Sequence, residues 1–328
     1  MPEADAIETI VNDPLLYRAP LPYVGRYYPY GFAVEVSTNV REVLDAAHEG
    51  FGAYAPRFDR PLIRVHVKVG EGSGTHPPAP VLRGQRNLTM WVADQDNFAV
   101  IDRLQRFGFS CVTRATVADR VFFRWHFLEA LIYILLELNY ITSLHAACVG
   151  FEGAGVLLYG DSGVGKSTLS YACARRGWTY ISDDASSIVW DGSRTAIGEP
   201  HHFRFRAEAP DLFPELRGRT VGRQLESKPT IEVLTGDLPI RTAAECRVEH
   251  IAFLDRRPGM PPSISRVSPR EAAERLRQDM PAFDPDLDAR RDAVVESIAE
   301  APAFTLRYSN YEEAILLLEQ AVRLRGAA

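Results

Sequence analysis

The pattern of apolar and polar residues changes period several times along this chain, and each change marks an element. Residues 32–36 (FAVEV) and 62–69 (LIRVHVKV) alternate apolar with polar, the period of a half-buried strand. Residues 87–92, 98–101 and 109–116 read as further strands. Residues 40–48 carry helical spacing, with Thr38 or Asn39 as the expected N-cap. Residues 70–80, rich in Gly and Pro, read as a surface loop. His66 alternates with Val65 and Val67 and is expected to face solvent. His76 lies in the loop, and neither histidine has a partner that suggests a metal. Residues 1–120 are therefore expected to form an N-terminal, mostly β (α+β) module without recognisable chemistry. Residues 122–138 form a helix whose apolar positions almost encircle it, so it should be buried between modules or against a sheet.

The second stretch, 121–328, carries the chemistry. Residues 144–149 and 155–159 read as two strands joined by a Glu152-Gly153 turn. That register places His145 opposite Gly160, and leaves two readings open for the histidine, a structural ring in a sheet or a group at the mouth of the following loop. The loop reads GDSGVGKST over 160–168. It sits between the apolar run 156–159 and a helix over 169–174 that stops near Gly177, the strand–loop–helix setting of a phosphate-binding loop. Gly160, Gly163 and Gly165 let the backbone turn its N–H groups inward as an anion nest, with Asp161, Ser162, Val164 and Thr168 completing the cradle. The helix N-terminus adds positive potential. Lys166 is expected to reach the β/γ-phosphates and the Ser167 hydroxyl to ligate Mg²⁺. A chain of this length matches such a motif by chance on the order of 1% of the time, and the flanking elements make chance rarer still.

Residues 178–182 read as another strand, ending in Asp183-Asp184. If it runs parallel to the strand feeding the loop, both carboxyl ends meet in one crevice, where α/β proteins bind ligands. Adjacent carboxylates at a strand end point in opposite directions. One can then serve the Mg²⁺ shell while the other accepts a proton from an attacking hydroxyl. Downstream, HFRFR at 202–206 puts Arg204 and Arg206 on one face and Phe203 and Phe205 on the other. The two arginines, and Lys228 before Pro229, are candidate substrate-binding residues. Residues 249–254 read as a core strand and 303–308 as another. Ser268 with Glu271 forms a capping box, residues 284–299 are helical, and Asn310 caps a final amphipathic helix.

Composition narrows the class. The 328 residues carry a net charge of −6 with scattered basic residues, which argues against a nucleic-acid binder. Residues 1–10 are acidic and lack an apolar core, so no signal peptide is expected. The longest apolar stretch, 127–138, is too short for a bilayer and contains Glu129 and Glu137. Cys111, Cys148, Cys173 and Cys246 show no metal-ligand spacing, which suits small buried hydrophobes in a reducing cytoplasm.

From His145 to Asp184 the chain resembles the catalytic domain of HPr kinase/phosphorylase and its HPr-kinase-related relatives. The resemblance rests on His145 before a short strand pair, GDSGVGKS at 160–167, and the aspartate pair after ARRGWTYIS. It implies an α/β P-loop kinase domain with a mixed central sheet, related distantly to ATP-dependent phosphoenolpyruvate carboxykinase. It also implies ATP and Mg²⁺ as cofactors, Asp183 as base, Asp184 and Ser167 at the metal, Lys166 on the phosphates and His145 beside the pair. The implied acceptor is a hydroxyl, the serine of a protein, a peptide or the free amino acid; the oligomeric state is left open. One departure is clear. HPr kinases carry an LEIRGLG signature after the aspartates, and the nearest segment here, 229–233 (PTIEV), does not fit it. HPr itself as acceptor, and the phosphorylase half-reaction, therefore do not carry over. A P-loop NTPase without an acceptor and a nucleotide sensor are the alternative readings.

Overall fold

A computed structural model describes residues 19–72, 77–219, 222–223, 229–278, 280 and 285–324. Its chain divides into two compact units, residues 1–139 and 140–328.

The first unit is built on a seven-stranded mixed sheet. Its strands are β1 (Tyr23–Tyr27), β2 (Phe32–Thr38), β3 (Phe58–Gly70), β4 (Val81–Gln85), β5 (Leu88–Val92), β6 (Phe98–Asp102) and β7 (Phe107–Thr113), ordered β1-β2-β3-β7-β6-β5-β4. Helix α1 (Arg41–Phe51) follows β2 but is not capped by a side chain. The Thr38 hydroxyl accepts the Val40 N–H instead, and the Asn39 amide pairs with the Val69 backbone at 2.8 and 2.9 Å. Strand β7 stops at Thr113, three residues short of the sequence expectation, because the Thr113 side chain caps the short helix α2 (Arg114–Ala118). The apolar helical run continues through α3 (Arg120–Phe123), a π-turn over Arg124–Glu129 and α4 (Ala130–Asn139). It packs on this unit's own sheet, where Gly108 lets Leu131 and Leu135 approach β7 closely. His66 is half-buried, edge-on to Phe107. His76 lies outside the described residues.

The second unit is also mixed α/β. Its strands are β8 (Ile141–Leu144), β9 (Ala146–Phe151), β10 (Ala154–Tyr159), β11 (Thr179–Ser182), β12 (Ser186–Val189), β13 (Thr195–Ile197), β14 (His202–Arg206), β15 (Gly222–Arg223), β16 (Pro229–Leu234), β17 (Arg241–Thr242), β18 (Glu245–Arg256), β19 (Ser263–Val267) and β20 (Ala303–Tyr308). The main sheet runs β17-β11-β9-β10-β18, with β20 on the far side of β18; β14, β16 and β15 form a small separate sheet. Helices α5 (Lys166–Arg175), α6 (Ala209–Leu212), α7 (Pro269–Arg277), α8 (Pro285–Ala299) and α9 (Tyr311–Arg323) complete it. Leu169 and Cys173 of α5 pack with Leu318 and Val322 of α9 against Val156 and Leu158 on one sheet face. Leu276, Val295 and Ile298 of α7 and α8 cover Leu157 and Ile251 on the other. A strand buried on both faces needs a continuous apolar run, which is why 156–159 has no alternation.

The expected hairpin is present. Tyr159 pairs with Ala146 and Gly155 with Gly150, around a turn in which Glu152 (φ 49°) and Gly153 (φ 85°) are both left-handed. The first strand, however, is not continuous. It breaks at His145, and the residues before the break, β8, leave the hairpin to pair with β12. Four free thiols are present. Cys148 and Cys173 are buried and Cys111 and Cys246 half-buried, as small apolar residues would be, although Cys148 and Cys246, 98 residues apart in sequence, bring their sulfurs to 3.3 Å.

Candidate functional site

The phosphate-binding loop is the turn from β10 into α5. Gly163 (φ 89°) and Gly165 (φ 108°) hold left-handed conformations that strain any residue with a Cβ. At Gly165 a Cβ would also press on the Tyr311 and Tyr308 hydroxyls, 3.2 and 3.4 Å away. Tyr308 secures the loop by donating to the Val164 carbonyl at 3.1 Å. Lys166 is only 5% exposed, and its Nζ donates to the Gly160 carbonyl at 2.7 Å, so the ammonium already lies against the loop. Ser167 lies beside it in the first turn of α5, and its hydroxyl donates to the Asp183 carbonyl at 3.3 Å.

Strands β11 and β10 both run antiparallel to β9, which lies between them. They are therefore parallel to each other, and the aspartate pair leaves the sheet at the same end as the loop. The two carboxylates differ sharply. Asp183 is half-buried and accepts the Arg204 backbone N–H at 3.2 Å on Oδ2. Its Oδ1 lies 3.2 Å from the Tyr180 hydroxyl, which is also 3.1 Å from the His202 carbonyl. Desolvation by burial is the largest influence and pushes the Asp183 carboxyl up to about 7. The Arg204 N–H and guanidinium and the Tyr180 hydroxyl oppose it, while the Asp184 charge adds to it. Asp184 is exposed, and its Oδ1 lies 3.1 Å from His145 Nε2. The break before β9 thus brings His145 to the mouth of the loop, but against Asp184 rather than Asp183.

Gly163, Gly165, Lys166, Ser167 and Thr168 line one cavity together with His145, Asp184, Arg204 and Arg206. Arg204 is flanked by Glu199 and Glu232, each at 3.7 Å, while Arg206 is exposed and reaches toward Gly163. Phe203 and Phe205 point the other way, into a cluster with Tyr171 that fixes β14 on α5. Lys228 lies outside the described residues. The donor set fits the groups expected there. A lysine suits phosphates, and a hydroxyl and a carboxylate lining the same cavity suit Mg²⁺, a hard cation usually held by one or two carboxylates plus phosphate oxygens.

Several neighbours of the site carry no signal in the sequence. Tyr180 looks like a core strand residue, yet its hydroxyl serves Asp183. The Arg204 contact to Asp183 is made by its backbone. Arg256, at the end of β18, and Tyr311, at the start of α9, also line the cavity, from elements remote in the chain.

Residues 137–207 match the HPr Serine kinase C-terminal domain family. That segment is HPr-kinase-like. It includes β9, β10, the loop, α5 and both aspartates, while Glu232, Arg256, Tyr308 and Tyr311 lie beyond it. The HPr kinase/phosphorylase of Enterococcus faecalis is 41% identical over 59 residues, 18% of this chain and 19% of that protein. That of Streptococcus salivarius is 36% identical over 74 residues, 21% and 24% of the two chains. The chain thus spans about a fifth of the length of these relatives. A solved HPr(Ser) kinase/phosphatase from Coxiella burnetii aligns with 57% of this chain and 99% of its own at 15% identity, with a TM-score of 0.32. Among the described residues, no helix is long and apolar enough to cross a membrane.

Proposed function

We propose that this chain is an ATP-dependent kinase that transfers the γ-phosphoryl group to a hydroxyl, the serine of a protein, a peptide or the free amino acid. The observation that carries the reading is the placement of the aspartate pair against a phosphate-binding loop, with the Ser167 hydroxyl on the Asp183 carbonyl at 3.3 Å; burial also pushes the Asp183 carboxyl up to about 7. A base works best when its pKa lies near the working pH. In this reading the Asp183 carboxylate takes the acceptor's proton as its oxygen bonds to the γ-phosphorus, and the bond from that phosphorus to the β–γ bridging oxygen breaks. Lys166 and the loop amides hold the β- and γ-phosphates. Ser167 and Asp184 would hold Mg²⁺, which supplies charge neutralisation on the phosphates. Arg206, which reaches toward Gly163, would bind phosphate or acceptor at the edge of the cradle. The match to relatives named HPr kinase/phosphorylase supports the reading for the catalytic segment. The test is acceptor dependence. ADP release from Mg·ATP should rise when serine or serine peptides are added, and a rate that no acceptor changes would favour a plain NTPase.

Two consequences follow from the geometry. Because the base is active when deprotonated, kcat/KM should rise with pH through about 7, the value of the free site. Tyr180→Phe removes a hydrogen bond that favours the Asp183 carboxylate, so this limb should move to higher pH. A limb that stays put, or moves lower, would separate Tyr180 from the base. His145 contacts Asp184, so His145→Ala should show first in the metal requirement. The Mg²⁺ concentration for half-maximal rate should rise roughly 10-fold, the usual cost of losing a partner that orients a ligand. An unchanged Mg²⁺ titration would return the histidine to a structural role.

A further inference from the structure

Arg256 closes β18 and is exposed, with its guanidinium carbon 5.1 Å above the Tyr311 ring. Tyr311 opens α9, immediately after its N-cap Asn310, and packs its hydroxyl on Gly165. Both line the cavity that holds Lys166, Ser167 and Asp184. Strand order fixes which side they occupy. The aspartates leave β11 on one side of β10, whereas Arg256 leaves β18 on the other, and Tyr311 follows β20, one strand further out. The reacting phosphate belongs beside the aspartates, so the nucleoside end of a bound nucleotide points toward Arg256. The cavity's volume points the same way. The cavity holds about 210 Å³, less than the roughly 300–1,000 Å³ of pockets that engulf a drug-sized ligand. It takes phosphates, and leaves the base on the rim.

We propose that Arg256, seated on Tyr311, is the platform on which the nucleotide base stacks. This rests on the nucleotide-site reading above and adds the residues that hold the nucleoside. A guanidinium is planar and weakly hydrated, so it can lie flat between an aromatic ring and a base, which an ammonium cannot do. Tyr311 sets the plane of the guanidinium through its ring face.

The test compares Mg·ADP with Mg·tripolyphosphate, which has phosphates but no base, by calorimetry on the full chain. Arg256→Ala should weaken ADP about 10-fold, within the range of one lost base-stacking contact. Tripolyphosphate should change by less than about 2-fold, since its contacts are made by the loop. Arg256→Lys should behave like the alanine variant, and Tyr311→Phe, which keeps the ring, should retain most of the ADP affinity. Equal weakening of both ligands would make Arg256 a phosphate contact and overturn the platform, as would no weakening of ADP. If the wild-type chain binds neither ligand, the nucleotide-site reading itself fails. If it binds both and Arg256→Ala is indistinguishable from it, only the platform fails.

Discussion

Lys166→Ala should reduce ATP turnover by roughly 10³-fold or more and weaken nucleotide binding at least 10-fold, with little loss of fold. Removing one preorganised neutral donor from a reacting oxyanion costs about 10²–10³ in rate, and a full charge on the β/γ-phosphates contributes more. The fold should survive because Nζ bonds the loop's own carbonyls, Gly160 at 2.7 Å and Asp161 at 3.4 Å, and the lip of a cavity lets water replace them. Alanine also has the higher helix propensity in the first turn of α5. Thermal melting and a coupled ADP assay decide the matter. A variant that melts like the wild type and keeps full activity would remove the phosphate site from 160–168.

Asp183→Asn should cost roughly 10²–10⁴ in kcat, the usual contribution of a general base. Nucleotide affinity should stay within a few-fold of wild type. The substitution suits the site sterically and chemically. With its amide oxygen toward the Arg204 N–H, its NH₂ group meets the Tyr180 hydroxyl, which can accept and still donate to the His202 carbonyl at 3.1 Å. No buried polar group is orphaned, and the residue no longer opposes burial with a charge, so the melting temperature should hold or rise slightly. Collapse of nucleotide binding in this variant would reverse the division of labour between Asp183 and Asp184.

Much of the site was legible in the sequence because its strongest signals are local. The two-residue turn at Glu152-Gly153 set the hairpin register, and with it the position of His145. The glycines of the loop are dictated by backbone conformation within a few residues. What was not legible depends on partners far along the chain. Nothing in residues 141–151 announces a break, since strand-forming residues lie on both sides of His145; the break arises because β8 pairs with β12, more than 40 residues later. That break turns the ring toward Asp184. The extension of β7 failed for a different reason, since threonine favours strands but its hydroxyl also caps helices, and at Thr113 the cap prevailed. Tyr180 and Arg204 read as a core residue and a candidate ligand. The structure uses the hydroxyl of one and the backbone of the other to set the state of Asp183. Arg256 and Tyr311 join the site only through the parallel pairing of β18 with β10 and β20.

The reaction proposed for this site is transfer of a phosphoryl group to a hydroxyl. Its most direct test is incubation of the purified full chain with γ-labelled ATP, Mg²⁺ and a panel of free serine, serine peptides and cell lysate. Label should appear in an acid-stable phosphoserine ester on an acceptor, and should be lost in Asp183→Asn. Label that appears only as inorganic phosphate, at a rate that no acceptor alters, would contradict that transfer.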